Sequence, residues 1–430
     1  MRILLTGASG FIGSRLLEAL LHEGHRVVTV SRREVAPGIW TVQHLSRDFS
    51  KALSPADWTG AVQDIDVVIN AVGILRERGE QRFDSLHHRA PAALYTAAAA
   101  AGVRRVVQIS ALGADAAATT SYHLSKKAAD DVLAGLPIEG IIVQPSLVFG
   151  QGGASASMFT MQASQPFIPL PGKGDQVVQP VHVDDLVAIV LALATQEAAG
   201  RSHAGRRVAV VGPEAMTLRD FYARLRRAMG IPAPARFVHV PMAAMRALAQ
   251  AGKWVPDSPL DPDTLSMLVR GNFAPVDDTR ALLGRAPRDV DAFVPTSLRN
   301  DVALGARLRW LAPILRVSIA LMWLIAGIVS LGLYPVDDSM ALLAAVGVPA
   351  ALTPAVLYAA AGLNIAFGLL VLSPWRGRWL WGAQAAVVLA YTAILTVFLP
   401  GFWLHPFGPL AKNLPVLAVI WLLYETDRKA

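Results

Sequence analysis

The sequence predicts an α/β protein: a doubly wound parallel sheet with a small C-terminal substrate lobe, followed by an all-α four-helix transmembrane domain. Three observations predict it. Short apolar strands alternate with helical stretches through residues 1–150, the pattern of a parallel sheet covered on both faces. The first strand runs directly into Gly7-x-x-Gly10-x-x-Gly13. The chain then loses its charge: none falls from Val317 to Val336, from Ser339 to Trp375, or from Trp379 to Ala411.

Composition agrees with this division. The chain has 430 residues, 53% hydrophobic and 17% charged, too apolar for an ordinary soluble protein. Residues 306–430 hold 8 Lys/Arg against 4 Asp/Glu, out of totals of 39 and 32. The soluble part is therefore nearly balanced, and no basic-aromatic stripe supports a nucleic-acid partner. With no cysteine, disulfides, thiolate metal sites and a cysteine nucleophile are excluded. The opening apolar run is too short for a secretory leader, and turn residues follow at once, so the soluble part is expected in the cytoplasm.

Strands are expected at Ile3–Thr6, Arg26–Ser31, Val67–Asn70, Arg105–Ser110 and Gly140–Gln144, with helices at Ile12–His22, around Leu86–Ala101 and through Lys126–Ala134. Gly24, Gly102 and Gly135 mark helix ends. Residues 1–150 form the nucleotide-binding domain, 151–305 a more irregular substrate lobe, and 306–430 the membrane domain. Hydrophobic segments 311–333, 353–373, 379–400 and 410–424 approach the ~20 residues of a spanning helix, the last being short. Arg307, Arg309 and Arg316 precede the first, Arg376 and Arg378 separate the second and third, and Arg428 and Lys429 follow the fourth. The intervening loops carry Asp337 and Asp338, or His405 near Lys412. This alternation predicts a multi-pass inner-membrane protein with both termini and the nucleotide domain cytoplasmic. Seven of ten tryptophans fall after residue 305, several at segment ends, as interface anchors.

The glycines suit a dinucleotide turn. The first permits the bend, the second lets backbone approach a pyrophosphate, and the third lets the helix pack on the strand. Free N–H groups at the helix start attract phosphate charge. The turn residues Thr6, Gly7, Ser9, Gly10, Phe11, Ile12 and Gly13 are the expected phosphate site. The second strand ends at Ser31, Arg32 and Arg33, where a carboxylate would hold the ribose of NAD; arginines there favour the 2′-phosphate of NADP, with NAD the alternative. Asp48 is placed for the adenine, and Asn70-Ala71-Val72-Gly73 line the cofactor at another strand end.

Tyr122-His-Leu-Ser-Lys126 puts tyrosine and lysine one turn apart on a helix face. A free tyrosine titrates near pH ~10, and an adjacent ammonium favours the phenolate, so the hydroxyl can pass a proton nearer neutrality. Lys126 can also hold the nicotinamide ribose. Ser110, at a strand end, can orient the substrate oxygen.

Together these residues make the first 300 positions resemble the short-chain dehydrogenase/reductase superfamily, with its Rossmann-type sheet. They are most similar to the atypical branch that includes the accessory NAD(P)-binding subunit of respiratory complex I. The resemblance rests on Thr6-Gly-Ala-Ser-Gly-Phe-Ile-Gly13, Gln108-Ile-Ser-Ala-Leu-Gly-Ala-Asp115, Gln144-Pro-Ser-Leu-Val-Phe-Gly150 and Gln179-Pro-Val-His-Val-Asp-Asp185. It implies Tyr122 as acid/base, Lys126 as its helper and Ser110 as the orienting hydroxyl, and adds Pro145 to the cofactor set. It departs at His87, which replaces the helix asparagine of the usual tetrad. The tail resembles the DoxX-like family of four-helix membrane proteins, through its hydropathy and Pro406-Phe-Gly-Pro…Lys412-Asn-Leu-Pro415; some relatives are linked to quinone redox chemistry.

The expected function is a membrane-anchored NADP(H)-dependent oxidoreductase acting on an apolar carbonyl or hydroxyl substrate: an isoprenoid, a quinone precursor or a lipid. The alternative is a non-catalytic nucleotide-binding module in a respiratory or quinone-biosynthetic assembly. Sugar-nucleotide epimerase chemistry would use the same Tyr and Lys but gives no reason for a membrane anchor. Lys412, beside Asn413, reads as a snorkelling side chain, or as part of a quinone or headgroup site. Asp184 or Asp185 reads as a helix cap. His22, His25, His44, His87, His88 and His182 do not form a ligand set, so no metal is expected.

Overall fold

A computed structural model describes residues 1–32, 34–35, 39, 41–196, 205–254, 258 and 260–427, which fall into two compact units, Met1–Ala306 and Arg307–Ala430. In the first strand, β1 (Arg2–Thr6), Ile3 and Leu5 join one apolar cluster and Leu4 another. That division follows from the two-residue period of a strand and means the sheet is buried on both faces. The other strands are β2 (Arg26–Ser31), β3 (Val42–Ser46), β4 (Val67–Asn70), β5 (Arg105–Ile109), β6 (Glu139–Pro145) and a seventh at Arg206–Val210. Their order is Arg206–Val210, β6, β5, β4, β1, β2, β3, all parallel. The order reverses between β1 and β4, so a crevice opens at the C-terminal ends of these two strands, where such sheets bind ligands.

Helix α1 (Phe11–His22) and the helix Val183–Thr195 cover one face, through Leu16, Leu20, Leu186 and Ile189. Helices α2 (Ala90–Ala100) and α3 (Ser121–Gly135) cover the other, through Leu94, Tyr95, Ala129 and Leu133. Two strands of this sheet were not foreseen. β3 is a partly exposed edge reading Val-Gln-His-Leu-Ser, whose polar residues hide the apolar signal. Arg206–Val210 opens with two exposed arginines.

Helix α3 starts five residues before the expected Lys126, because the Thr120 hydroxyl caps it by accepting the His123 N–H. The helix expected around Leu86–Ala101 is preceded by a π-helical stretch, Asp84–Arg89. Pro91 supplies the reason: it has no N–H to donate to the preceding turn, so the ladder there must be rearranged. Nor does Asp184 or Asp185 cap the helix Val183–Thr195; the His182 side chain does, accepting the Asp184 N–H at 3.2 Å. Buried Asp185 instead accepts from Arg285 and the Arg288 N–H, each at 2.6 Å.

The lobe packs its own core, including Phe159, Phe221, Tyr222, Leu225 and Phe293. Among the described residues, three helical segments are long and apolar enough to cross a membrane: Thr296–Leu333 (which begins in the first unit), Thr353–Leu372 and Arg378–Phe398; the apolar helix Asn413–Thr426 is shorter. Trp323, Phe367, Trp381, Val388 and Ile420 form their core. A helix at Val336–Ala345 occupies what read as a loop, with Asp337 and Asp338 favourably placed in its first turn.

Candidate active site

The chain turns sharply after β1. Gly7 has φ +73°, and the Gly10 N–H donates to its carbonyl at 2.9 Å. A Cβ on Gly7 would lie 2.7 Å from the Ala71 carbonyl, and one on Gly13 would strike the Gly7 carbonyl oxygen. Only glycine lets the three backbones close up here. Gly10 then caps α1 without any side-chain acceptor on the first-turn N–H groups, while Ser9 and Gly10 are exposed and Phe11 and Ile12 half-buried. An anion fits this cradle, since bare amides and the helix dipole point into it.

At the end of β2, Ser31 is half-buried and Arg32 exposed; Arg33 lies outside the described residues. Partial burial opposes ionisation of Asp48, but hydrogen bonds from Ser50, with Arg32 and Lys51 nearby, outweigh it and hold the carboxyl below its ordinary value. Its Oδ1 already accepts the Ser50 N–H and hydroxyl, at 3.0 and 2.7 Å.

Two expected cofactor contacts turn inward instead. The Thr6 hydroxyl donates to Asn70 Oδ1 at 2.6 Å, which also accepts the Val72 N–H at 3.2 Å. Asn70 Nδ2 donates to the Tyr95 hydroxyl and to Gln108 at 2.9 and 2.8 Å. All these side chains are fully buried, so Thr6 and Asn70 brace the strand ends rather than present side chains to a ligand. Pro145 is likewise buried, its carbonyl accepting the Leu112 N–H at 2.9 Å. The backbone of Ala71, Val72 and Gly73 does reach the crevice: Ala71 abuts the glycine turn, and Gly73 is exposed.

Helix α3 carries Tyr122 and Lys126, and brings Lys126 to the same crevice. Buried Lys126 donates to the Val72 and Ile109 carbonyls, both at 3.1 Å, at the ends of β4 and β5. A Cβ on Gly73 would come within 3.2 Å of its Nζ. Tyr122, one turn earlier, packs edge-on against His87 and Phe83. Burial, then the negative charge of Asp130, push its phenol up to about 12. The ammonium does not offset this: two of its three N–H groups go to carbonyls, and the Tyr122 phenol stays protonated near neutral pH.

Ser110 also departs from expectation. It donates to buried Asp130 at 2.5 Å, which leaves its proton unavailable to a substrate oxygen. Asp130 follows Lys126 by one further turn, so residues 122, 126 and 130 share a face of α3. Burial raises the Asp130 carboxyl and lowers the Lys126 ammonium, each partly offset by the other's charge. The sequence reading missed Asp130; the signal was an acid four residues beyond the lysine in an alanine-rich helix.

His87, at the position of the tetrad asparagine, accepts the Ile74 N–H at Nε2 (2.9 Å). That fixes the neutral tautomer with Nδ1–H donating to the Ser125 hydroxyl at 3.0 Å, which in turn donates to the Tyr122 carbonyl. Burial, with Lys126 nearby, drives the imidazole pKa to about 2, so the His87 ring is neutral. Two further unforeseen links close the crevice toward the lobe. Arg76 pairs with Asp261 at 2.8 Å, and Arg270 holds both Asp115 and the Gly113 carbonyl. Among the described residues no His/Asp/Glu cluster could hold a metal.

These features have parallels in known proteins. Residues 3–210 match the NAD dependent epimerase/dehydratase family. The first unit carries an epimerase-like, NAD(P)-binding domain. Residues 320–421 match the DoxX-like family, so the chain pairs this nucleotide-binding domain with a membrane domain. It is similar to the ceramide reductase of Caulobacter vibrioides, 26% identical over 191 residues, which are 44% of this chain and 60% of that one. It is also similar to the mitochondrial NADH dehydrogenase [ubiquinone] 1 alpha subcomplex subunit 9 of Arabidopsis thaliana, 28% identical over 253 residues, 56% of this chain and 61% of that one. The chain thus spans about three fifths of the length of these two relatives. The crystal structure of UDP-glucuronic acid 4-epimerase from Bacillus cereus shares the fold, with a TM-score of 0.50 and 19% identity over 72% of this chain and 100% of that one.

Proposed function

We propose that this protein is a membrane-anchored, NADP(H)-dependent oxidoreductase that reduces a carbonyl on an apolar, membrane-resident molecule such as an isoprenoid, a quinone precursor or a lipid. The observation that carries this reading is α3 seating neutral Tyr122 beside Lys126, whose Nζ lies at the ends of β4 and β5. The Gly7–Gly13 turn would hold the pyrophosphate and Arg32 the 2′-phosphate. The bound dinucleotide would supply the hydride. Tyr122 would donate its proton to the substrate oxygen as the carbonyl becomes an alcohol, and Lys126 would bind the ribose and help restore that proton. The relative named as a ceramide reductase supports a lipid substrate. The charge pattern of the tail supports an inner-membrane location with both termini cytoplasmic.

A second reading is a non-catalytic, NAD(P)-binding subunit of a respiratory or quinone-biosynthetic assembly. The similarity to an NADH dehydrogenase subunit and the sequestered Ser110 hydroxyl favour it. Single-turnover oxidation of bound NADPH separates the two, with the full chain in lipid nanodiscs given a polar-lipid and quinone extract. The enzyme reading expects oxidation that falls by about 10²–10⁴ in Tyr122→Phe, with NADPH affinity unchanged. Tight binding without turnover would favour the second reading, and turnover indifferent to Tyr122 would remove Tyr122 as the proton donor.

A further inference from the structure

The lobe presents an apolar face with a cationic rim that plays no part in the proposed chemistry. The strand Phe237–Val240 pairs in parallel with Ile168–Pro171, placing Val238 opposite Pro169. Ile168 and Leu170 are buried, whereas Phe167 and Val238 are 56% and 47% exposed. This ribbon therefore turns Phe167, Pro169 and Val238 outward. The helix Met242–Gly252 follows, its first residue close to Gly172 at the ribbon's end. Only Ala249 and Gly252 of this helix are buried; Leu248 is 55% exposed, and Trp254 just beyond is 89% exposed. Two small buried residues are poor support for an eleven-residue helix in water, and clustered exposed apolar groups mark a binding surface.

The charges carried by the ribbon strand and its helix have one sign. From residue 236 to 254 the chain carries Arg236, Arg246 and Lys253 and no Asp or Glu. All three cations are exposed, and the Arg219 guanidinium stacks over the Phe237 ring at 5.1 Å. Leucine and tryptophan within a basic rim make the composition of a surface that lies in a lipid headgroup layer. The occupant is at hand, because the same chain carries helices able to cross a bilayer.

We infer that the face formed by Phe167, Val238, Leu248 and Trp254 docks onto the surface of a bilayer bearing anionic headgroups, through Arg236, Arg246 and Lys253. The helix Met242–Gly252 packs on Pro262–Arg270, and Arg270 holds Asp115 and Gly113 beside the crevice. Docking would therefore set the mouth of the crevice near lipid. That consequence rests on the proposed function, whereas the docking itself does not.

The absence of cysteine makes the test direct. Leu248→Cys and, as an aqueous reference on α1, exposed Glu18→Cys are each spin-labelled in the full chain, in nanodiscs of phosphatidylethanolamine and phosphatidylglycerol. Collisions with oxygen and with a water-soluble nickel chelate are then compared. The expected result is a several-fold higher oxygen-to-nickel ratio at 248 than at 18. That ratio should fall in phosphatidylcholine and in Arg246→Gln/Lys253→Gln. Nickel access equal at both positions would overturn the inference. So would a label at 248 shielded from both reagents, which reports a protein partner, and so would a ratio indifferent to lipid charge. The readout needs no turnover, so its failure is distinct from failure of the proposed reaction.

Discussion

The soluble unit and the membrane unit use the same small and polar residues to different ends. In the soluble unit, Gly13 lets α1 close onto the Gly7 carbonyl, and the result is a ring of backbone donors open to a ligand. In the membrane unit, Gly368 lets two helices close together: a Cβ there would meet Leu324 at 2.5 Å and the Ala320 carbonyl at 3.0 Å. Buried Asn70 has every polar atom paired, but buried Asn364 leaves its Oδ1 without a partner. In the first unit, polar groups fix strand ends so that a few others can face substrate. In the second, close van der Waals contact between helices is joined by a few polar links, such as the Trp323 indole N–H donating to buried Gln384 at 2.6 Å.

Paired substitutions sharpen this contrast, the asparagines most. Asn70→Leu strands the buried Thr6 hydroxyl and the Val72 N–H, while the Tyr95 hydroxyl and Gln108 Oε1 keep their bond to each other. At about 1–3 kcal/mol for each buried group left unsatisfied, calorimetry in nanodiscs should register a loss of about 2 kcal/mol or more, whereas Asn364→Leu should be close to neutral. Equal losses would break the distinction. For the glycines, Gly13→Ala forces backbone apart, and overpacking of this kind costs about 1–3 kcal/mol. Gly368→Ala meets a flexible leucine and should fall at the low end. Only Gly13→Ala should weaken NADPH binding, read by nucleotide fluorescence.

A pH-dependent contrast concerns His87. Its folded pKa lies far below the unfolded 6.5, so below pH 6.5 the unfolded chain binds a proton that the folded chain refuses. Stability is full above 6.5 and is lost as pH falls, at up to about 1.4 kcal/mol per pH unit. Melting of His87→Asn against the wild-type chain from pH 7 to pH 5 should show a shallower acid dependence in the variant. Parallel curves would mean that His87 is charged in the fold.

What the sequence revealed, and what it concealed, divides along physical lines. The glycine turn and the Tyr122–Lys126 pair are local patterns, because a turn or one helix face fixes their geometry within seven residues. The uncharged runs of the tail are equally legible, since the bilayer excludes charge. Ser110 and Asp130 meet across twenty residues of sequence, and nothing local to either shows that the serine hydroxyl is already taken. The inward turn of Thr6 and Asn70 depends on strand pairing, as does β3, whose apolar residues meet the sheet on one side only. Arg76–Asp261 and Arg270–Asp115 join segments more than 150 residues apart, beyond the reach of any spacing rule.

The proposed preference of the dinucleotide seat for the 2′-phosphate is tested most directly by titrating the full chain in nanodiscs with NADPH and NADH, beside Arg32→Ala. The account predicts tighter binding of NADPH, and a loss of about 1.5–3 kcal/mol of that affinity in Arg32→Ala with NADH binding unchanged. Failure of the wild-type chain to bind either nucleotide would contradict it, as would equal binding of both that ignores Arg32.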